Sequence, residues 1–340
     1  MKNSATQKSS ITKLLFDNVI YVFLILLVIG IVVASPDFLS VTNLINILSQ
    51  SSSRIIIALG MAGILITAGT DLSAGRMVGL AAVISASMLQ AGDYAYKMYP
   101  NLPELPLIVP IIIAMIATGL IATVNGVIVS KLHVPPFIAT LGMMIGVYGL
   151  TSIYFDRPPY GAQPIGGLSE KFTTFAQRGI PVGSYEIPYL VIYAIIATIV
   201  IWVIWNKTQL GKNMYAIGGN PEAAKVSGVN VARNIIIIYM IAGLLYGFSG
   251  TLEAGRVGSA TNNTGNMYEL DAIAACVVGG VSLSGGIGTV PGVVTGVLIF
   301  QIINYGLAFL GVSPYIQFIV KGLIIVVAVA FDMRKHAKKK

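Results

Sequence analysis

Long apolar runs separated by short polar breaks recur along the whole chain. The runs "NVIYVFLILLVIGIVVA" (18–34) and "IPYLVIYAIIATIVIWVIW" (187–205) approach the roughly 20 apolar residues that cross a bilayer core as a helix. The same pattern places further spans near 44–68, 77–91, 107–129, 138–155, 234–252, 270–281, 289–310 and 316–331, about ten in all. The expected fold is therefore an all-α, polytopic bundle. It has a short tail at 1–17, a membrane domain at 18–331 with a polar loop at 207–233, and a basic tail at 332–340. The first apolar run is too long for a cleavable signal peptide and reads as an uncleaved span.

Composition agrees with the pattern. The chain is 56% hydrophobic and 10% charged, with mean hydropathy +0.84, against about 25% charged in soluble domains. The net charge is +8. Its basic residues gather at the two ends and in the 207–233 loop, which is the distribution of the positive-inside rule and not of a nucleic-acid interface. With both termini in the cytoplasm, the inner side receives Lys2, Lys8, Lys13, Arg76, Lys131, Lys207, Lys212, Lys225, Arg233 and the terminal cluster. The outer side keeps mainly Lys97, Arg157, Lys171, Arg178 and Arg256. The single cysteine, Cys276, excludes an intramolecular disulfide and suggests no metal framework. The Gly- and Pro-rich outer loop at 157–186 reads as a lid, a docking surface or a plain connector.

Two short spans adjoin similar Gly-rich turns, "GTDLSAG" (69–75) and "GVSLSGG" (280–286). Paired, Gly-interrupted segments in two halves of a transporter point to its translocation site. Asp71, Ser73 and Ser284 in these turns are accordingly candidates for a pathway or gate. Asp71 also reads as a cap for the next helix, with Arg76 as its nearest counter-charge. Asn46, Gln50, Asn125 and Asn304, with Asn43 and Gln301, dot the spans. Such residues serve either hydroxyl groups of a passing solute or hydrogen bonds between helices. Lys321, inside a span, needs an acid or must snorkel, with Glu253, Glu269 and Asp271 as candidate partners. The "GMAG", "GVYG" and "GVVTG" glycines read as close helix packing.

The stretch "AIGGNPEAAKVSGV" (216–229) is neither span nor random loop. Asn220 suits an N-cap, Pro221 the first helical position, and Glu222 the positive end of the helix dipole. Ala223, Ala224 and Lys225 favour helix, and Gly228 suits its termination. A helix of about two turns is marginal alone in water, so this one is expected to pack on something. A partner protein is the sharper expectation. No G-x-x-x-x-G-K-[ST] phosphate loop or catalytic set occurs in the chain, so an ATP-driven process would need a separate subunit.

Four stretches carry a family resemblance: "GTDLSAG" (69–75), "NGVIVSKLHVPPFIATLG" (125–142), "GKNMYAIGGNPEAAKVSGVN" (211–230) and "ELDAIAACVVGGVSLSGGIGT" (269–289). Together they resemble the membrane permeases of bacterial ABC monosaccharide importers, the ribose, galactose, xylose and arabinose group. "TDLSAGR" and "GNPEAAKVSGVN" resemble in particular the members that carry galactose and methyl galactoside. The resemblance implies a homodimer in the inner membrane, a periplasmic sugar-binding protein, and a cytoplasmic ATPase with two fused nucleotide-binding domains. ATP and magnesium would be used by that ATPase, with no cofactor on this chain. Gly218, Gly219, Asn220, Pro221, Glu222, Ala223, Ala224 and Lys225 would form the segment that couples to it. Val281 departs from the pattern, since relatives often carry Thr there. Glucose is a further candidate solute, and transport of ribose, xylose or another monosaccharide, or an ion-coupled secondary sugar transporter, are the alternative readings.

Overall fold

The computed structural model describes residues 19–157, 159 and 161–337. The tail at 1–17, with Lys2, Lys8 and Lys13, lies outside the described residues, as do the last three residues of the basic tail at 332–340.

Each of the ten expected spans is a helix. They are α1 (Val19–Ala34), α2 (Val41–Ile66), α3 (Ala74–Met88), α4 (Ile108–Lys131), α5 (Pro136–Phe155), α7 (Tyr189–Lys207), α10 (Val231–Val257), α11 (Tyr268–Val278), α12 (Val290–Phe309) and α13 (Pro314–Ala337). The remaining helices are α6 (Glu170–Gln177), α8 (Gln209–Gly219) and α9 (Pro221–Val226). Among the described residues six helices are long and apolar enough to cross a membrane: α2, α4, α5, α7, α10 and α12. α3 and α11 are short, with 15 and 11 residues, and each abuts one of the Gly-rich turns.

α10 is the axis of the bundle and packs on α2, α3 and α4, burying Tyr239 and Tyr246 completely. Lipid removes the hydrophobic drive between helices, so close backbone approach carries the packing. At Gly243 a methyl group would lie 2.5 Å from the Thr118 carbonyl oxygen on α4, and at Gly247 2.6 Å from the Met115 Cα. The "GMAG" and "GVVTG" glycines do pack: Gly60 lies against Ala242 of α10, and Gly292 and Gly296 lie against the end of α11. The "GVYG" glycines do not. Gly146 and Gly149 meet no atom within 4 Å, because α5 is packed mainly along its opposite side and leaves Ile145, Leu150 and Ile153 exposed.

The two ends of the bundle differ. At one end, the 157–186 loop carries α6 and the start of a hairpin formed by β1 (Gly179–Val182) and β2 (Tyr185–Pro188). It is fastened to the end of α3 by the Ser169 N–H donating to Leu89 O at 2.8 Å, and to the segment after α10 by the Ile165–Ala260 bridge. It is thus a structured cap and not a plain connector. At the other end, α8 and α9 lie between α7 and α10. The short helix expected after Asn220 is α9, with Gly219 before it and Gly228 after it. A further helix, α8, precedes it and ends in Gly218 and Gly219, and the Thr208 hydroxyl caps α8 by accepting from the Gly211 N–H.

Candidate functional site

Asn220 joins α8 to α9. Its N–H donates to Ala216 O at 3.0 Å, closing α8, and its side-chain oxygen accepts from the Ala223 N–H at 3.0 Å, opening α9. Pro221 takes the first position and Glu222 the first turn. Gly228, at φ +86°, follows the helix, and the Val229 N–H donates back to Ala224 O at 3.0 Å. Ala224 is the one buried residue of α9, and Val226 is 88% exposed. The outer surface of this helix therefore offers Glu222, Ala223, Lys225 and Val226 to whatever lies beyond it.

The first Gly-rich turn is held from inside. Asp71 is fully buried, and its Oδ1 accepts from both the N–H and the hydroxyl of Ser73. Ser73 in turn accepts from Asn125 Nδ2 of α4 at 2.9 Å. Tyr239 of α10 donates to Thr70 O at 3.1 Å, and the Leu72 N–H donates to Thr140 Oγ1 of α5 at 3.1 Å. Asp71 is not the helix cap, since Ser73 holds that position. Nor does Arg76 pair with it. Arg76 donates to Asn266 Oδ1 at 2.7 Å and lies 4.3 Å from the Tyr148 ring, because α3 turns its side chain away from Asp71 toward the segment after α10.

The second turn lies against the end of α2, just ahead of the first turn. The Gly286 N–H donates to Ile66 O at 2.8 Å, and Tyr215 of α8 donates to Gly288 O at 2.9 Å. Ser284 donates its N–H to Ser282 Oγ at 3.2 Å within the turn. Val281 is fully buried, which suits an apolar side chain.

The polar residues of the spans gather elsewhere, along α2, α11, α12 and α13. Asn46 donates to Tyr305 Oη at 3.2 Å, and Tyr305 donates to Asn43 Oδ1 at 2.9 Å. Gln301 donates to Gln50 Oε1 at 2.9 Å. Asn304 and Gln301 line a narrow cleft with Arg54, Tyr268, Asp271 and Phe300. Of the three acids considered for Lys321, Asp271 is the partner, at 3.1 Å. Glu253 is taken by Arg256, Ser53 and Tyr268. Sequence reasoning missed Arg54, which meets Asp271 at 3.5 Å and lies 3.1 Å from the Tyr268 ring centre. The signal was available: a basic residue at the head of "RIIIALG", within a span, needs an acid. The seven pathway candidates thus divide among three places. Asp71, Ser73 and Asn125 form one cluster, Asn46, Gln50 and Asn304 lie along α2 and α12, and Ser284 sits beside α8.

Known proteins resemble this chain over its whole length. It is 59% identical to the galactose/methyl galactoside import permease protein MglC of Haemophilus influenzae, over 99% of this chain and 100% of that protein. It is 57% identical to the protein of the same name from Escherichia coli, with the same coverage. The ribose import permease protein RbsC of Bacillus subtilis is 39% identical, over 92% of each chain. No solved structure matches. Residues 43–329, which hold both Gly-rich turns, α8, α9 and the ion-pair cluster, match the family described as branched-chain amino acid transport system / permease component. The chain therefore belongs to that family, as a multi-pass membrane permease.

Proposed function

We propose that this chain is the membrane-spanning subunit of an ATP-driven importer in the bacterial inner membrane, and that its solutes are D-galactose and methyl β-galactoside. The observation that carries the reading is the end-to-end identity of 57–59% with three galactose/methyl galactoside import permeases, against 38–39% with ribose permeases and 37% with the Treponema pallidum protein of the galactose name. The family description names branched-chain amino acids, whereas the full-length relatives at 57–59% identity are named galactose/methyl galactoside import permeases. Sugar hydroxyls also suit the amide side chains of Gln50, Gln301 and Asn304 beside Arg54 and Asp271.

In this reading two copies of the chain pair around the path and a periplasmic binding protein delivers the sugar. A cytoplasmic ATPase with two fused nucleotide-binding domains docks on the segment from Gly218 to Lys225 and uses ATP and magnesium. The exposed outer surface of α9 supports the docking role. Both termini then face the cytoplasm, on the side of the basic 207–233 loop. Asn46, Gln50 and Asn304 contribute to the path, and Asp71, Ser73, Asn125 and Ser284 to its gate.

The test is labelled-galactose uptake into proteoliposomes that hold this chain, its ATPase and its binding protein, with ATP supplied to the ATPase side. Uptake that needs all three components and ATP is expected, with glucose, ribose and xylose as competitors to grade the sugar. Uptake by this chain alone on an ion gradient would overturn the reading in favour of an ion-coupled transporter.

A further inference from the structure

We propose that Gly218, Gly285 and Gly286 form a backbone joint through which movement of the ATPase-docking segment reaches both Gly-rich turns at once. The proposal rests on the reading of α9 as the docking helix and extends it inward.

The last turn of α8 meets the membrane domain without side chains in between. A methyl group on Gly218 would collide with Ile66 O and lie 2.5 Å from the Gly286 nitrogen. These two atoms are the acceptor and donor of the 2.8 Å hydrogen bond that ties the end of α2 to the second turn. Gly218 therefore sits directly over the bond that ties the second turn to the end of α2, three residues before the first turn. On the other side, a methyl on Gly285 would lie 2.7 Å from Gly218 O and 3.0 Å from the Ala68 Cβ, and one on Gly286 would lie 3.2 Å from the Gly219 Cα. Gly285 and Gly286 have φ of +85° and +74°, a region that glycine enters without a side-chain penalty. Ala68 is also left-handed, at φ +59°.

Backbone contacts of this kind have no rotamer freedom to absorb a displacement. Packed interfaces switch between discrete arrangements and do not deform continuously. On the docking side the chain is equally stiff, because Asn220 both ends α8 and starts α9. On the membrane side each turn abuts a short helix. The first continues through Asp71 and Ser73 into α3 and is tied to Asn125 and Tyr239. The second lies between α11 and α12, with Tyr215 holding Gly288 O. A shift of α9 would thus enter both short helices through one contact.

The experiment uses the full complex of permease, ATPase and binding protein in nanodiscs. It reads ATPase co-purification, basal ATP hydrolysis, and hydrolysis stimulated by binding protein with galactose. Because Gly218 belongs to the docking segment, hydrolysis is read per bound ATPase, and Gly218→Ala is expected to lower the stimulated-to-basal ratio about tenfold, within the usual range of coupling between sites. Gly142→Ala is the control, since a methyl there meets no atom within 4 Å. A Gly218→Ala complex with the wild-type ratio overturns the joint. If that variant does not insert, Tyr215→Phe decides. It removes only the hydroxyl bond to Gly288 O, so a several-fold fall in the ratio supports the joint and a wild-type ratio overturns it. Failure of the docking reading appears separately, as ATPase that stays bound when Glu222 and Ala223 are replaced by bulky or opposite-charge residues.

Discussion

Lys321 Nζ donates to Asp271 Oδ2 at 3.1 Å, and the same oxygen lies 3.5 Å from Arg54 Nη1. One carboxylate thereby serves two cations from α2 and α13, in side chains between 14% and 23% exposed. Asp271→Asn removes the counter-charge of both. Leaving a buried ion pair half-broken costs roughly 3–5 kcal/mol, and the partial exposure here places the expected loss nearer about 2–3 kcal/mol. Thermal unfolding of the purified permease should show a lower midpoint, and adding Lys321→Met should restore part of it. A double variant as unstable as the sum of its parts would show that the two residues do not interact.

Asn220→Ala removes the cap of α9 and should cost that helix about 1 kcal/mol. Amide exchange across 221–226 is expected to quicken, and ATPase association to weaken, while the spans stay protected. Asn220→Asp keeps an accepting oxygen at the same place and should behave much like the parent. Equal exchange in the alanine variant would mean that α9 is held by packing of Ala224 and not by its cap.

Asn125→Leu cuts the bond from α4 to Ser73. A single buried hydrogen bond contributes about 0.5–1.5 kcal/mol net, so the permease should still insert and bind its ATPase. Galactose uptake is nevertheless expected to drop, because the turn holding Asp71 loses its tie to α4. Uptake at the parental rate would remove Asn125 from the gate.

Gly247 and Gly146 make a contrast that a stability measurement can read. Gly247→Val forces a branched side chain against Met115 and Thr118 of α4, and overpacking of this kind typically costs about 1–3 kcal/mol. Gly146→Ala adds a methyl to open space and should leave protomer stability unchanged. If Gly146→Ala instead weakens self-association in detergent, the exposed face of α5 is where the second copy packs.

The sequence by itself determined the membrane architecture. Ten apolar runs became ten helices, six of them, among the described residues, long and apolar enough to span, because a backbone in lipid must satisfy its polar groups internally. The α9 cap was equally legible, since Asn220, Pro221 and Gly228 act on neighbours within a few residues. Tertiary structure decided the partners. Arg76 is only five residues from Asp71 but pairs with Asn266, whereas Lys321 reaches across to Asp271. Gly146 and Gly243 look alike in sequence, yet only Gly243 meets a neighbouring helix. The contact of Gly218 with Ile66 and Gly286 joins three distant stretches. Local rules reach three or four residues along a helix, while these pairings depend on which helix faces which, and that is set only when the whole bundle closes around α10.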